Sequence, residues 1–113
     1  TITFDVLPTS ILFQQSDATG NFIINLRGNA TTTFSSILDS NKSLTLSFLN
    51  KNGPTVAYGV SSLSIDGTNV PILWSGTSGN GFPGTINGRD LNTFNVFNDN
   101  GTYTVLGTRI GFV

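Results

Sequence analysis

The amino-acid sequence predicts an all-β protein, and three observations support this fold class. Only 10% of the residues are charged, against roughly 25% in typical soluble domains. All six acidic residues are aspartates, so the glutamates that commonly solvate the faces of helices are absent. Short runs of alternating apolar and polar residues, separated by Gly, Asn and Pro, recur along the chain. This pattern is typical of a β-sandwich or barrel.

Three strands are predicted at the start of the chain. The first covers residues 2–6, and Pro8 then interrupts any hydrogen-bonded ladder. A second apolar run lies near 10–14 and leads into a turn, and a third strand covers 21–27. The apolar positions expected to share the inward faces of the first and third strands are Ile2, Phe4, Val6, Phe22, Ile24 and Leu26.

The middle of the chain combines one helical turn with the clearest strand. Residues 34–41 have apolar side chains at helical spacing, but the segment is too short for more than a turn or two. Residues 43–50 alternate strictly, with three apolar side chains on one face. The Asn-Gly-Pro sequence in 51–54 predicts a tight turn with positive φ angles, after which a strand over 55–60 resumes.

The last part of the chain predicts two hairpins. Residues 63–74 form the first, because Asp66-Gly67 favours a type I′ turn between two apolar strands. The second joins 92–97 to 102–107 through the turn at 98–101, which contains Gly101, and a closing strand is expected over 108–113. The whole chain, 1–113, is therefore predicted to form a single β-sandwich domain, jelly-roll or immunoglobulin-like, of roughly eight to ten short antiparallel strands with at most one short helical turn.

The composition also limits the chemistry that the protein can perform. There is no histidine, cysteine or glutamate, which removes the usual catalytic triads, zinc sites and glutamate-based glycosidase pairs. Five scattered cations do not form a stripe that could follow a phosphate backbone, so no nucleic-acid partner is expected. No apolar run approaches the ~18 residues of a membrane span. We therefore predict a non-enzymatic protein without cofactor, bound metal or membrane partner.

A few residues still need an interpretation as possible sites. Asp66 and Asp99 lie in predicted hairpin turns that contain a glycine, where an aspartate commonly caps its own backbone. Asp90 follows Arg89 and is expected to pair with a backbone amide or a cation, the alternative being a catalytic carboxylate. Trp74 ends a strand and is read as a core residue, the alternative being a platform for a ligand. The residues assigned structural core or turn roles are Trp74, Asp66, Gly67, Asp90 and Gly101.

A long segment over 75–89 is rich in Gly, Ser, Thr and Asn but also contains apolar side chains. These either fold back over the mouth of the sandwich or contact another chain. Two apolar residues of the predicted closing strand share one face and are candidates for the same role. The predicted interface residues are Phe82, Pro83, Ile86, Ile110 and Phe112.

The stretch SIDGTNVPILWSG…FPGTINGRDLNTFNVFNDNGTYTVLG resembles a recurrent module of phage virion proteins. The module occurs at the ends of tail fibres and in short virion structural proteins of marine and cyanobacterial phages. The resemblance covers about the last fifty residues, whereas the first sixty agree only in general style, and the segment after Trp74 is longer than is usual in the family. The matching positions are Asp66, Gly67, Trp74, Gly76, Pro83, Asp90, Phe94, Gly101 and Tyr103.

The resemblance implies a structural protein of the virion, assembled in the host cytoplasm. We expect a decoration or cement protein on the outside of the head, a homo-oligomer whose partners are other virion proteins, the major capsid protein above all. One alternative is a tail-fibre or receptor-binding module that holds a glycan of the host surface. A more remote alternative is a carbohydrate-binding domain or small enzyme unrelated to viruses. A surface of Thr, Asn, Ser and Gly with few charges suits dense packing among many copies.

Overall fold

The computed structural model describes residues 1–75 and 85–113. Within them it contains nine β-strands and no helix, which confirms the all-β prediction. The strands are β1 (Ile2–Asp5), β2 (Ile11–Asp17), β3 (Phe22–Arg27), β4 (Ser43–Lys51), β5 (Val60–Ile65), β6 (Thr68–Val70), β7 (Ile72–Trp74), β8 (Arg89–Asp99) and β9 (Thr102–Phe112). They form a four-stranded sheet, in the order β1-β3-β5-β6, and a five-stranded sheet, in the order β2-β4-β8-β9-β7.

The two sheets contribute to one apolar core. The four-stranded sheet supplies Phe4, Ile24, Leu26 and Leu63, and the five-stranded sheet supplies the inward side chains of β4, β8 and β9. Phe22 of β3 meets Phe48 of β4 edge to face, with ring centroids 5.1 Å apart. Burial alternates along β3, β4 and β8, so one face of each sheet is buried in this core and the other faces outward.

The prediction of purely antiparallel strands is wrong. β1 pairs with β3, β3 with β5, β2 with β4 and β7 with β9 in parallel, whereas β4–β8, β5–β6 and β8–β9 are antiparallel. For the first three parallel pairs the cause lies in the path of the chain, because β1 to β5 alternate between the two sheets. A chain that crosses to the opposite sheet and returns re-enters its first sheet in the original direction, so a strand of the other sheet serves as the crossover connection.

Three local predictions also need correction. Asn52 and Gly53 do not form a tight turn with positive φ, because Asn52 is buried and its side chain binds Tyr58. Residues 55–59 are not a strand, and β5 begins only at Val60. The predicted closing strand over 108–113 is the second half of β9, which pairs with β8 along its full length.

The predicted type I′ turn at Asp66-Gly67 is present, and the turn predicted at 98–101 has positive φ angles at two successive residues as well. Asp66 and Gly67 have φ angles of 51° and 83° and join β5 to β6, and Asn100 and Gly101 have φ angles of 54° and 95° and join β8 to β9. The first hairpin is shorter than predicted, since Pro71 separates β6 from β7 and β7 pairs with β9 in the other sheet. The expected helical turn consists of two hydrogen bonds to the carbonyl of Phe34, donated by the amides of Ile37 and Leu38.

Candidate functional site

The outward face of the five-stranded sheet is the candidate functional site. The even-numbered residues of β4 and β8 point into the core. In β9 it is the odd-numbered residues that do so. The other half of each strand faces away from it. We call this surface the outer face and define it by Ile11, Phe13, Ser43, Thr45, Ser47, Leu49, Lys51, Leu73, Arg89, Leu91, Thr93, Asn95, Phe97, Asp99, Thr102, Thr104, Leu106, Thr108, Ile110 and Phe112.

One row of the outer face is apolar across four strands. Phe13 of β2 is the partner of Leu49, Leu49 is the partner of Leu91, and Leu91 is the partner of Ile110. Phe13 is 46% exposed and Ile110 is 56% exposed. Partners directly opposite each other lie within about 5.5 Å, so the four side chains form a continuous strip, which we call the apolar row.

Further exposed apolar side chains surround the apolar row. Phe112 lies two residues beyond Ile110 on the same face of β9, and Ile11 lies two residues before Phe13 on the same face of β2. Leu73 of β7 is the partner of Leu106, on the side of β9 that is away from β8. Most of the remaining positions are Ser, Thr or Asn. The charged residues stand at the two ends, Lys51 and Arg89 beside the apolar row and Asp99 at the opposite end of β8.

The outward face of the four-stranded sheet is different in character. Several of its polar side chains bind one another: Arg27 binds the carboxylate of Asp5, and Ser64 Oγ donates to Asn25 Oδ1 at 2.8 Å. Ile23 is the one large apolar residue exposed on its strands as the structure describes them. The apolar surface is therefore concentrated on one of the two outward faces.

The predicted interface residues fall in three places. Ile110 and Phe112 lie on the outer face. Ile86 lies apart from it, 53% exposed, within residues 85–88 directly before β8. Phe82 and Pro83 lie outside the described residues. Sequence reasoning missed Phe13, Leu49 and Leu91, because only the strand register brings them beside Ile110.

Asp90 lies at the centre of a buried polar cluster and is 0% exposed. Its Oδ2 accepts hydrogen bonds from Asn52 Nδ2 at 3.1 Å and from the Thr85 amide at 2.9 Å. Its Oδ1 accepts from Thr85 Oγ1 at 2.7 Å and from Arg109 Nη1 at 3.1 Å. These four hydrogen bonds occupy both oxygens of the buried carboxylate. In this structure Asp90 anchors residue 85, just before β8, to the body of the protein.

Trp74 packs against the core from the end of β7. It is half-buried, and its ring meets Phe94 edge to face at a centroid distance of 5.8 Å. Gly107 of β9 allows this approach, since a Cβ there would lie 2.9 Å from Trp74 Cε3. The ring is occupied by protein contacts on this side.

The hairpin aspartates do not cap their own turns. Asp66 instead accepts hydrogen bonds from the amides of Phe34 and Ser35, at 2.7 and 3.1 Å, and so ties the β5–β6 turn to the helical turn at 34–38. In the other hairpin it is Asn98 whose Oδ1 accepts from the amide of Gly101, at 2.8 Å. The negative charge of Asp66 also acts on Tyr103, whose pKa is raised above its ordinary value, first by burial and then by this charge.

An open concavity of about 470 Å³ lies between Asp66 and the loop 29–33. Its polar groups already have partners: Arg27 binds Asp5, and Asn25 Oδ1 accepts from Ser64 and from the amide of Gly67. In residues 1–75 and 85–113 no three His, Cys, Asp or Glu side chains come together as metal ligands would. The same residues contain no helix with the length and hydropathy of a membrane span.

Comparison with known proteins found no matching family, no matching curated protein and no matching solved structure.

Proposed function

We propose that the protein is a structural component of a phage virion, a decoration or cement protein on the outside of the head. The observation that carries the proposal is the contrast between the two outward faces. One is polar and internally paired, and the other presents the apolar row to solvent. An exposed apolar surface of this extent commonly marks a protein–protein contact, and the resemblance of the last fifty residues to virion modules supplies the kind of particle.

The polar residues support an assembled part over a catalyst. The sequence contains no histidine, cysteine or glutamate, and the buried carboxylate of Asp90 is fully engaged by Asn52, Thr85 and Arg109. General acid–base catalysis requires a group that can reach the substrate and exchange a proton. In this protein the carboxylates of Asp66 and Asp90 bind other parts of the fold instead.

The same proposal treats the two sheets as the layers of one β-sandwich over residues 1–113. The contact between Phe22 and Phe48 supports this view, because it joins the layers through a shared core. A rigid sandwich can hold an apolar sheet face flat, which suits repeated contacts among symmetric copies on a shell. Each contact would add modest apolar burial, and the symmetry of the head would multiply it.

Contact with the major capsid protein is assigned to the long segment before β8. Ile86 is exposed there, 53%, while Thr85 beside it is held by Asp90. An exposed apolar side chain next to an anchored residue can enter a partner's pocket with little loss of conformational freedom. Phe82 and Pro83 of the same segment join Ile86 in this proposal.

The experiment starts with mass spectrometry of purified particles of the phage whose genome encodes the chain. Heads from a mutant lacking the chain are then mixed with purified protein, and binding is followed by sedimentation. We expect many copies of the protein per head. Heads that carry it should release their packaged DNA at a higher temperature than heads that lack it. A variant with Phe82, Pro83 and Ile86 all changed to Ser, which keeps Thr85, should bind at least about tenfold more weakly, as expected when central apolar anchors are lost.

The matched control is Ile23→Ser, which removes an exposed isoleucine from the polar outward face of the four-stranded sheet. It should bind heads as the unchanged protein does. Absence of the chain from the particles would overturn the proposal. A chain found only in tails, with adsorption to host cells competed by a single surface glycan, would favour the receptor-binding alternative and contradict the head assignment.

A further inference from the structure

We propose that two copies of the protein associate through their outer faces, with the β8 strands of the two copies crossing antiparallel at the centre of the interface. The inference rests on the proposed function, which calls for a symmetric oligomer, and it identifies the surface and the orientation. The occupant of the outer face is thus a second copy of this chain, and three features of the face support that choice.

The first feature is the distribution of apolar residues along the strands. In an antiparallel arrangement about a two-fold axis that lies between Thr93 and Asn95, Leu91 of one copy faces Phe97 of the other. The relation is reciprocal, as an isologous interface requires. Phe97 is 40% exposed and lies six residues along β8 from the apolar row, so both ends of the strand acquire an apolar partner.

The second feature is the size of the face. Strands rise about 3.4 Å per residue and lie about 4.8 Å apart, so five strands of these lengths present roughly 600 Å² in projection. Two such faces bury at least about 1,200 Å², which is the lower bound for specific, stable interfaces. A smaller ligand would leave most of the face exposed, whereas a second copy covers it.

The third feature is the charge at each end. Lys51 and Arg89 are register partners at one end of the outer face, and Asp99 lies at the other end of β8. Turning one copy around the two-fold axis brings each Arg89 towards the partner copy's Asp99. A parallel arrangement would instead bring the cations of both copies together, which costs affinity and selects against that orientation.

The test uses the full chain in analytical ultracentrifugation over a concentration series. The unchanged protein should sediment at twice the chain mass of 12.0 kDa. Ile110→Lys, in the apolar row, should raise the dimer dissociation constant at least about tenfold. Ile23→Lys is the matched control on the other sheet and should leave the constant unchanged. A wild-type chain that stays monomeric, or an Ile110→Lys dimer as tight as the original, overturns the inference.

Two charge variants test the orientation separately. Arg89→Glu alone places Glu against Asp99 twice in the dimer, and Asp99→Arg alone places Arg against Arg89 twice, so each variant should dissociate. A mixture of the two should form heterodimers, because each position then faces an opposite charge. Dissociation of both variants with recovery in the mixture supports the antiparallel arrangement, and failure to recover overturns it.

A monomer that still binds heads would refute the dimer but leave the proposed function intact. A dimer that is absent from phage particles would refute the proposed function but leave the dimer intact.

Discussion

Asp90 illustrates how a polar residue is used in this protein. Sequence reasoning expected it to pair with an amide or a cation, and the structure places both around it, in Thr85 and Arg109. The side chain of Asn52 completes the set. Because the donors come from three separate segments, the carboxylate joins parts of the chain that are far apart in sequence.

Asp90→Asn should therefore lower the free energy of unfolding by about 3 kcal/mol. The substitution removes the negative charge opposite Arg109, and it replaces one accepting oxygen by an NH₂ group that faces hydrogen-bond donors. Urea denaturation followed by tryptophan fluorescence measures the change. The control is Asp17→Asn, which affects an exposed pair with Lys51 at 3.7 Å and should cost less than about 1 kcal/mol. Equal losses in the two variants would contradict a structural role for the buried cluster.

From the raised pKa of Tyr103 we predict that the free energy of unfolding falls at alkaline pH. Its pKa is raised above 10.0 by burial and by the charge of Asp66. Between the ordinary pKa and the raised one, the unfolded chain loses the phenolic proton while the folded chain keeps it. The folded state then binds more protons, so the free energy of unfolding falls as pH rises through this window and is unaffected by Tyr103 well below it.

The comparison with Tyr103→Phe isolates this contribution from those of the lysines. Urea midpoints measured at pH 8 and at pH 10.5 should fall more for the unchanged protein than for Tyr103→Phe. The substituted ring keeps the edge-to-face contact with Phe34, whose centroid lies 5.8 Å away. An identical fall in both proteins would show that Tyr103 ionises equally in the folded and unfolded states.

Individual strands were largely predictable, whereas their partners were not. β4 was identified because Leu44, Leu46 and Phe48 alternate with small polar residues, and the two-residue turns at Asp66 and Asn100 were identified because each precedes a glycine. The same alternation occurs in any sheet with one buried face, so it could not reveal that β2 and β4 run parallel.

The candidate site was only partly predictable, because the sequence pattern reveals the face of a strand but not its neighbours in the sheet. Ile110 and Phe112 could be recognised as apolar residues on one face of a strand. Phe13 lies almost a hundred residues earlier in the sequence, and it joins Ile110 only through two intervening strands. Asn52 was missed because an Asn-Gly pair most often indicates a hairpin turn, and here the buried amide binds Asp90.

Gly107→Ala tests the close approach of β7 to β9. A Cβ at this position would lie 2.7 Å from Ile72 Cγ2 and 2.9 Å from Trp74 Cε3, so the tryptophan or the strand must move. We expect a loss of about 1–3 kcal/mol and a red shift of Trp74 emission. Gly20→Ala is the control, since no heavy atom lies within 4 Å of its added Cβ. An unchanged emission spectrum in Gly107→Ala would argue against the described packing of Trp74.

The alternation of β1 to β5 between two sheets gives the protein both local and distant strand pairs. β8 and β9 are joined by two residues and pair over their full length. β3 and β5 are parallel partners separated by residues 28–59, which include β4 of the opposite sheet. Closing the longer loop costs more entropy before any contact compensates for it.

We therefore expect the β8–β9 hairpin to be structured in the folding transition state before the four-stranded sheet is complete. Val96 in β8 and Val60 in β5 offer a matched pair, since each is 0% exposed and each can be truncated to Ala. Folding and unfolding rates in urea should give a φ-value of about 0.5–0.8 for Val96→Ala and about 0–0.3 for Val60→Ala. Removing a contact slows folding only if that contact is already formed in the transition state. The reverse order of φ-values would therefore mean that the parallel β3–β5 crossover nucleates the fold and the β8–β9 hairpin does not.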